Sequence, residues 1–157
     1  MELTYDSIVK YMKDYFEAFN TYGQNPDTIH RMDDYFAPDF EFIPYVATIP
    51  RVSGLDSWYR VLLSHPSGCE KLTPEDMVID ERRKVVVVMI KAEILDSKTR
   101  ELLVTKRYFA RYPLVLDENN TIKIKNLQFF WEVLPPGAME IDDVFDRDRK
   151  PKTQGQT

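Results

Sequence analysis

Apolar residues in this chain recur every three to four positions up to about residue 64, then at every second position from Leu72 onward. The first spacing places side chains on one face of a helix, the second on one face of a strand. Helices gathered ahead of strands are the signature of an α+β fold. Here it is read as three N-terminal helices packed on the concave face of a cone-shaped, strongly curved antiparallel sheet.

The first helix spans residues 4–22, with Ile8, Met12, Tyr15, Phe16 and Phe19 on its apolar stripe. Asp6 or Ser7 is its expected cap and Gly23 its end. Pro26-Asp27-Thr28 opens a second, shorter helix carrying Ile29, Met32, Tyr35 and Phe36, which Pro38 stops. Asp39 to Tyr45 alternates like a short strand, held at an edge or bend by Pro44. After a loop over 46–53, Leu55 to about Ser64 forms the third helix, and His65-Pro66-Ser67-Gly68 terminates it.

Four strands are expected over 76–80, 85–95, 102–116 and 121–133. The polar breaks at 81–84, 96–99 and 117–120 have hairpin length, so successive antiparallel pairing is the simplest topology. Pro135-Pro136-Gly137 ends the sheet, and 138–145 forms a short closing segment. The whole reads as one domain over residues 1–145, followed by a charged and then Gly/Gln/Thr-rich tail, 146–157, expected to be disordered.

The last strand has two unlike faces. Leu127, Phe129 and Trp131 make one aromatic and dry, while Ile122, Ile124 and Phe130 mix with Asn126, Gln128 and Glu132 on the other. A symmetric turn at 117–120 sets Leu116 opposite Thr121. Tyr108, Ala110 and Tyr112 then share the dry face, while Arg107, Phe109 and Arg111 share the mixed one. A bulge would flip this assignment beyond it. The dry face is expected to meet the helices and line a hollow. The mixed face, with Arg107, Phe109, Arg111, Asn126, Gln128 and Phe130, is expected to form a homodimer interface.

Composition removes several functions. The 21 basic against 26 acidic residues give a net charge of −5, which argues against a nucleic-acid partner. The longest apolar run, Val85 to Ile90, is too short for a membrane span. A lone cysteine, Cys69, and an acidic N-terminus fit a cytoplasmic protein. Two distant histidines match no metal-ligand spacing, and isolated glycines make no phosphate loop, so no metal and no cofactor are expected. Aromatic residues make up 13% of the chain, which points to a ring-lined pocket for a small apolar or aromatic molecule.

The sequence Met32-Asp-Asp-Tyr-Phe-Ala-Pro-Asp-Phe-Glu-Phe42, the helix start near Ser53-Gly54 and the curved four-strand run resemble the nuclear transport factor 2-like superfamily. Within it the chain looks most like the SnoaL-like polyketide cyclase and ketosteroid isomerase branch. The resemblance covers roughly residues 4 to 134 and implies a cystatin-like cone around a small, often cyclic, apolar ligand. It also implies dimers through the outer sheet face. Steroid isomerases of this fold use a tyrosine on the first helix, a protonated acid on the third long strand and an aspartate base. The stretch Asp14-Tyr-Phe-Glu-Ala-Phe-Asn20 matches the tyrosine, so Tyr15 is a candidate donor. The base position falls at or next to Pro44, which takes no proton, and the acid position near Ala110, flanked by Tyr108 and Tyr112. The match of Ile124-Lys-Asn-Leu-Gln-Phe-Phe-Trp131 to the final strand directs Leu127, Phe129 and Trp131 inward.

The candidate catalytic residues are therefore Tyr15 and His65. His65 sits where the third helix gives way to a loop, and an imidazole with an ordinary pKa of about 6.5 carries protons near neutral pH. A histidine favoured by a helix dipole is the blander account of it. Candidate ligand contacts are Tyr45 at the rim, the walls Trp58 and Trp131, and Tyr108, Tyr112, Leu127 and Phe129. Two functions follow: a cofactor-free isomerase, dehydratase or cyclase acting by proton transfer, or a non-catalytic ligand-binding or assembly subunit.

Overall fold

The computed structural model describes residues 3–45, 49–130, 136–138 and 145; the expected closing segment and tail lie largely outside them. The first helix, α1 (Tyr5–Tyr22), is capped by Thr4. Its hydroxyl accepts from the Ser7 amide at 3.2 Å, and the Ser7 hydroxyl accepts from the Thr4 amide at 3.0 Å. Ser7 is thus the reciprocal partner in the capping box, while Asp6 occupies the first turn. Gly23 ends the helix with φ −74°, so left-handed backbone is not the reason for it. A Cβ there would lie 2.8 Å from the Phe19 carbonyl oxygen and 2.9 Å from Met32 Sδ. The missing side chain lets the next segment fold back against α1.

That segment, Ile29–Tyr35, is a 3-10 helix, and its buried residues are Ile29 and Met32. It ends before Pro38, which lies inside strand β1 (Phe36–Pro44). The expected loop over 46–53 contains a two-residue strand, β2 (Val52–Ser53), and α2 (Leu55–Leu62) follows. The remaining strands are β3 (Gly68–Asp80), β4 (Val85–Asp96), β5 (Leu102–Leu116) and β6 (Ile122–Phe130). β3 begins well before the expected Asp76. Pro74 obscures the alternation there, and the strand accommodates it with a register shift between Pro74 and Asp76.

The strands form one sheet in the order β2-β1-β6-β5-β4-β3. Its β3–β6 part is the expected antiparallel run of hairpins, but β1 lies parallel to β6. The sheet is therefore mixed, curved and not closed. β1 is flanked by β2 and β6 rather than free at an edge. Pro38, which has no amide hydrogen, falls where the β1–β6 register shifts between Phe36 and Glu41, and Pro44 closes the pairing opposite Phe129.

Leu116 pairs with Ile122, not Thr121, and the register moves by one more residue between Leu114↔Ile124 and Arg111↔Gln128. The extra residue in β6 lets both Ile124 and Leu127 face inward, with Lys125 exposed between them. Ile122 and Ile124 are consequently core residues, which accounts for the imperfect alternation. Beyond the bulge, Ala110 meets Phe129 and Phe109 meets Phe130, the face assignment expected from sequence.

Ile8, Met12, Tyr15, Phe16 and Phe19 of α1 join Val86, Val88, Ala110, Tyr112 and Leu114 of the sheet in one core. Each large side chain so buried contributes roughly 1.5–3 kcal/mol. Among the described residues, no helix is long and apolar enough to cross a membrane.

Candidate functional site

Between the concave face, α1, α2 and the 49–52 segment lies a cavity of about 690 Å³. Its floor follows from strand parity. Glu70 pairs with Ile94, Leu72 with Ala92, Ala92 with Lys106 and Ile94 with Val104, and all of these line the cavity. The bulge in β6 brings Leu127 and Phe129 to the same surface. α2 supplies Trp58, whose ring lies against Phe42 at a 35° tilt with ring centres 4.2 Å apart. Among the described residues, the Trp58 indole nitrogen is the buried side-chain polar atom without a hydrogen-bond partner.

Tyr15, Trp58, His65 and Tyr108 all line this cavity, as do Tyr112, Leu127 and Phe129. Tyr45 does not. Its amide donates to the Phe129 carbonyl at 2.7 Å, continuing the β1 pairing, and its ring stacks on Phe130 at 4.6 Å. Tyr45 follows the end of β1, and its exposed ring packs on Phe130 instead of joining the residues that line the cavity. Trp131 lies outside the described residues. The Ala110 position suggested by the resemblance is buried, and Pro44 carries no titratable group.

Sequence reasoning passed over Glu70. It enters from β3, one alternation before Leu72, and its carboxylate lies 3.6 Å from His65 Nε2. The alternating pair Glu70 and Leu72 is the signal that would have revealed it, had the strand been extended back past Pro74. α1 fixes this stretch of the sheet edge. The Asn20 amide donates to the Leu72 carbonyl and accepts from the Leu72 amide, both at 2.8 Å, and Gln24 Oε1 accepts from the Glu70 amide at 3.3 Å. Side chains thereby satisfy edge groups that another chain would otherwise pair.

His65 Nδ1 lies 3.0 Å from the Gly68 carbonyl oxygen. A carbonyl only accepts, so Nδ1 carries the hydrogen and Nε2 is left facing Glu70. At 3.6 Å the two are close enough for a proton to pass from the carboxyl to Nε2 after a small movement of either side chain. Burial pushes the Glu70 carboxyl above the ordinary glutamate value, and the His65 charge partly opposes this. A desolvated carboxylate of this kind is a stronger base than one in water.

Burial also holds the phenols of Tyr15, Tyr108 and Tyr112 above the ordinary tyrosine value, and the Glu70 charge adds to this at Tyr15 and Tyr108. The Tyr15 and Tyr112 rings meet edge-on at 5.8 Å, and each phenol shifts the other. All three remain neutral at physiological pH and act as hydrogen-bond donors. An apolar chamber thus holds a carboxyl–imidazole pair beside neutral hydroxyl donors, an arrangement suited to taking a proton and steadying the charge left behind.

Beyond the pair lies a second, polar hollow of about 850 Å³, which also counts His65 and Glu70 in its wall. Glu70 and His65 form part of the partition between the two.

No protein-family model and no curated protein matches the sequence. Solved structures do match in shape. A nuclear transport factor 2-like protein from Anabaena variabilis superposes with TM-score 0.60 at 16% identity, covering 80-odd per cent of this chain (83%) and 92% of the other. A ketosteroid isomerase-like protein from Erwinia carotovora gives 0.54 at 14% identity, covering 82% and 95%. SalBIII, described as an epoxide hydrolase/cyclase-like enzyme in pyran ring formation in the polyether salinomycin, gives 0.54 at 16%, covering 82% and 93%. At such identities the likeness establishes the fold: this chain folds as nuclear transport factor 2-like proteins do.

Proposed function

We propose that this protein, built on the nuclear transport factor 2-like fold, is an enzyme that moves a proton on a small apolar, oxygenated molecule. Isomerisation, dehydration and ring closure all belong to this class. The observation that carries the reading is the Glu70–His65 pair in the wall of a hydrophobic chamber. Glu70 takes the proton from carbon or hydroxyl, and His65 accepts it through Nε2 and returns it. A neutral phenol, Tyr15 or Tyr108, donates to the developing oxyanion, which it stabilises more strongly among apolar walls than in water. Both the base and the donor are side chains, so the step draws on no cofactor. The cyclase-like and isomerase-like descriptions of the structural neighbours are consistent with this class.

The test is hydrogen exchange in deuterium oxide with a panel of cyclic ketones, followed by proton NMR, beside a thermal-shift screen of the same compounds. Exchange catalysed by the native protein is expected to fall by about 10²–10⁴-fold in Glu70→Gln. A panel that neither exchanges nor shifts the melting temperature would sink the proposal.

A second reading, a non-catalytic assembly subunit, is favoured by the outer face. There Phe109 and Phe130 are exposed, and Tyr45 stacks on Phe130. We place the homodimer contact on this face, with Arg107, Arg111, Asn126 and Gln128 around the rings. The two readings are compatible, since the dimer face and the chamber use opposite sides of the same strands.

A further inference from the structure

We propose that Asn20 and Gln24 are positioning residues for the reaction: standing in for a neighbouring strand along the edge of β3, they hold the Glu70 carboxyl within reach of His65. The inference rests on the reading of Glu70 as the base and adds what keeps that base in place.

β3 is the last strand of the sheet, so one side of its backbone has no strand beside it. Alternate residues on that side, Gly68, Glu70 and Leu72, are nevertheless engaged. The Gly68 amide donates to the His65 carbonyl at 3.1 Å, and Gln24 Oε1 accepts from the Glu70 amide at 3.3 Å. Asn20 both donates to the Leu72 carbonyl and accepts from the Leu72 amide, each at 2.8 Å. That doubled contact is the one a residue of an antiparallel strand would make. Asn20 lies in the last turn of α1, and Gln24 just beyond the Gly23 cap. His65 is tied to the same edge a second time, through Nδ1 at 3.0 Å from the Gly68 carbonyl oxygen. Its imidazole is thus anchored two residues before Glu70, whose own main chain is held by the end of α1. The 3.6 Å between Nε2 and the carboxylate is measured along this fastened stretch of strand.

Both residues line the polar hollow, and neither is in the wall of the apolar chamber, so their effect on the reaction passes through Glu70. Protection of a free edge would be served by bonds anywhere along β3. These fall on Glu70 itself and on Leu72, its next neighbour in the alternation. Without them the edge opens to water, and the carboxyl gains hydration and turns from Nε2. A displacement of about 1 Å at a reacting group costs up to about 10²-fold in rate.

The experiment follows the Glu70 carboxyl by carbon NMR titration, beside deuterium exchange of the cyclic-ketone panel, in the full chain. Burial holds the native carboxyl above the ordinary glutamate value of about 4.3. In the Asn20→Leu, Gln24→Met double variant the titration should fall back towards that value. Exchange should slow about 10–100-fold, while the thermal shifts given by the same ketones are kept. Added to Glu70→Gln, the two substitutions should slow exchange by less than about threefold, because the group they act through is gone. An unchanged carboxyl titration in the double variant, or a full-sized loss of rate on top of Glu70→Gln, overturns the proposal. Should the double variant not fold, Gln24→Met alone, which loses the single bond to the Glu70 amide, carries the same titration, and an unchanged value there overturns it equally. If the native protein exchanges no ketone, the reading of Glu70 as the base fails, while the titration still decides whether Asn20 and Gln24 place its carboxyl.

Discussion

The long strands of this sheet lead two different lives along their length. From Ala110 to Leu114, β5 alternates between buried and half-buried residues and packs, with Val86 and Val88, under α1. From Leu102 to Arg107 the same strand is exposed, and Val104 and Lys106 face a cavity instead of a helix. The cause is the reach of the helices. α1 runs eighteen residues and seals one end, whereas α2 has eight and only roofs the other. One end of the sheet is filled by the core, and the other is left hollow. Concave parity is shared by both ends, so the chamber is an extension of the core in which side chains have been left out.

That contrast is testable, and its strongest form is at the sealed end. Phe16→Ala removes a buried ring that meets Tyr15 and Tyr112 edge-on. It should cost about 3–5 kcal/mol in urea denaturation, and a loss below 1 kcal/mol would mean that this end is not close-packed. A paired insertion compares the two ends directly. Ala110 and Ala92 are both inward-facing and buried, but only Ala92 lines the cavity. Ala110→Leu should destabilise by about 1–3 kcal/mol through overpacking, while Ala92→Leu should change stability by less than about 1 kcal/mol and weaken ligand binding. Equal costs at the two sites would erase the distinction.

The smallest effect concerns Glu70, whose carboxyl is held above its ordinary value chiefly by burial. An acid whose folded-state pKa is raised favours the folded state fully below its unfolded value of about 4.3, and that contribution is lost as pH rises through the folded value. Glu70→Gln should therefore melt higher than the native protein at neutral pH, with the gap closing on acidification. A gap that widens towards low pH would contradict this account.

Much of this was legible in the sequence because it rests on local periodicity. The helical stripe from Ile8 to Phe19 and the strands over 85–95 and 102–116 were all expected close to where they occur. The grouping of Tyr108, Tyr112, Leu127 and Phe129 on one face was also readable, because the β6 bulge and the shifted turn together preserved parity beyond them. Pro74 hid the first half of β3, and Glu70 with it. A proline in a strand pattern reads as its end, and only the local register shift made it tolerable. The contact of Tyr45 with Phe130 was hidden for a related reason: parity after Pro44 depends on a pairing with β6 that no nearby turn encodes.

By itself, the order of apolar spacings determined that helices would cover one face of a sheet, since burying an amphipathic stripe and an alternating face requires them to meet. Tertiary structure alone decided which residues share the hollow. The parallel meeting of β1 with β6 and the convergence of Glu70, Tyr15 and Tyr108 on one cavity join segments whose closeness depends on how far each strand slides before its neighbours lock. Spacing along a chain records the period of each element, whereas contact between distant elements is set by the packing of them all at once.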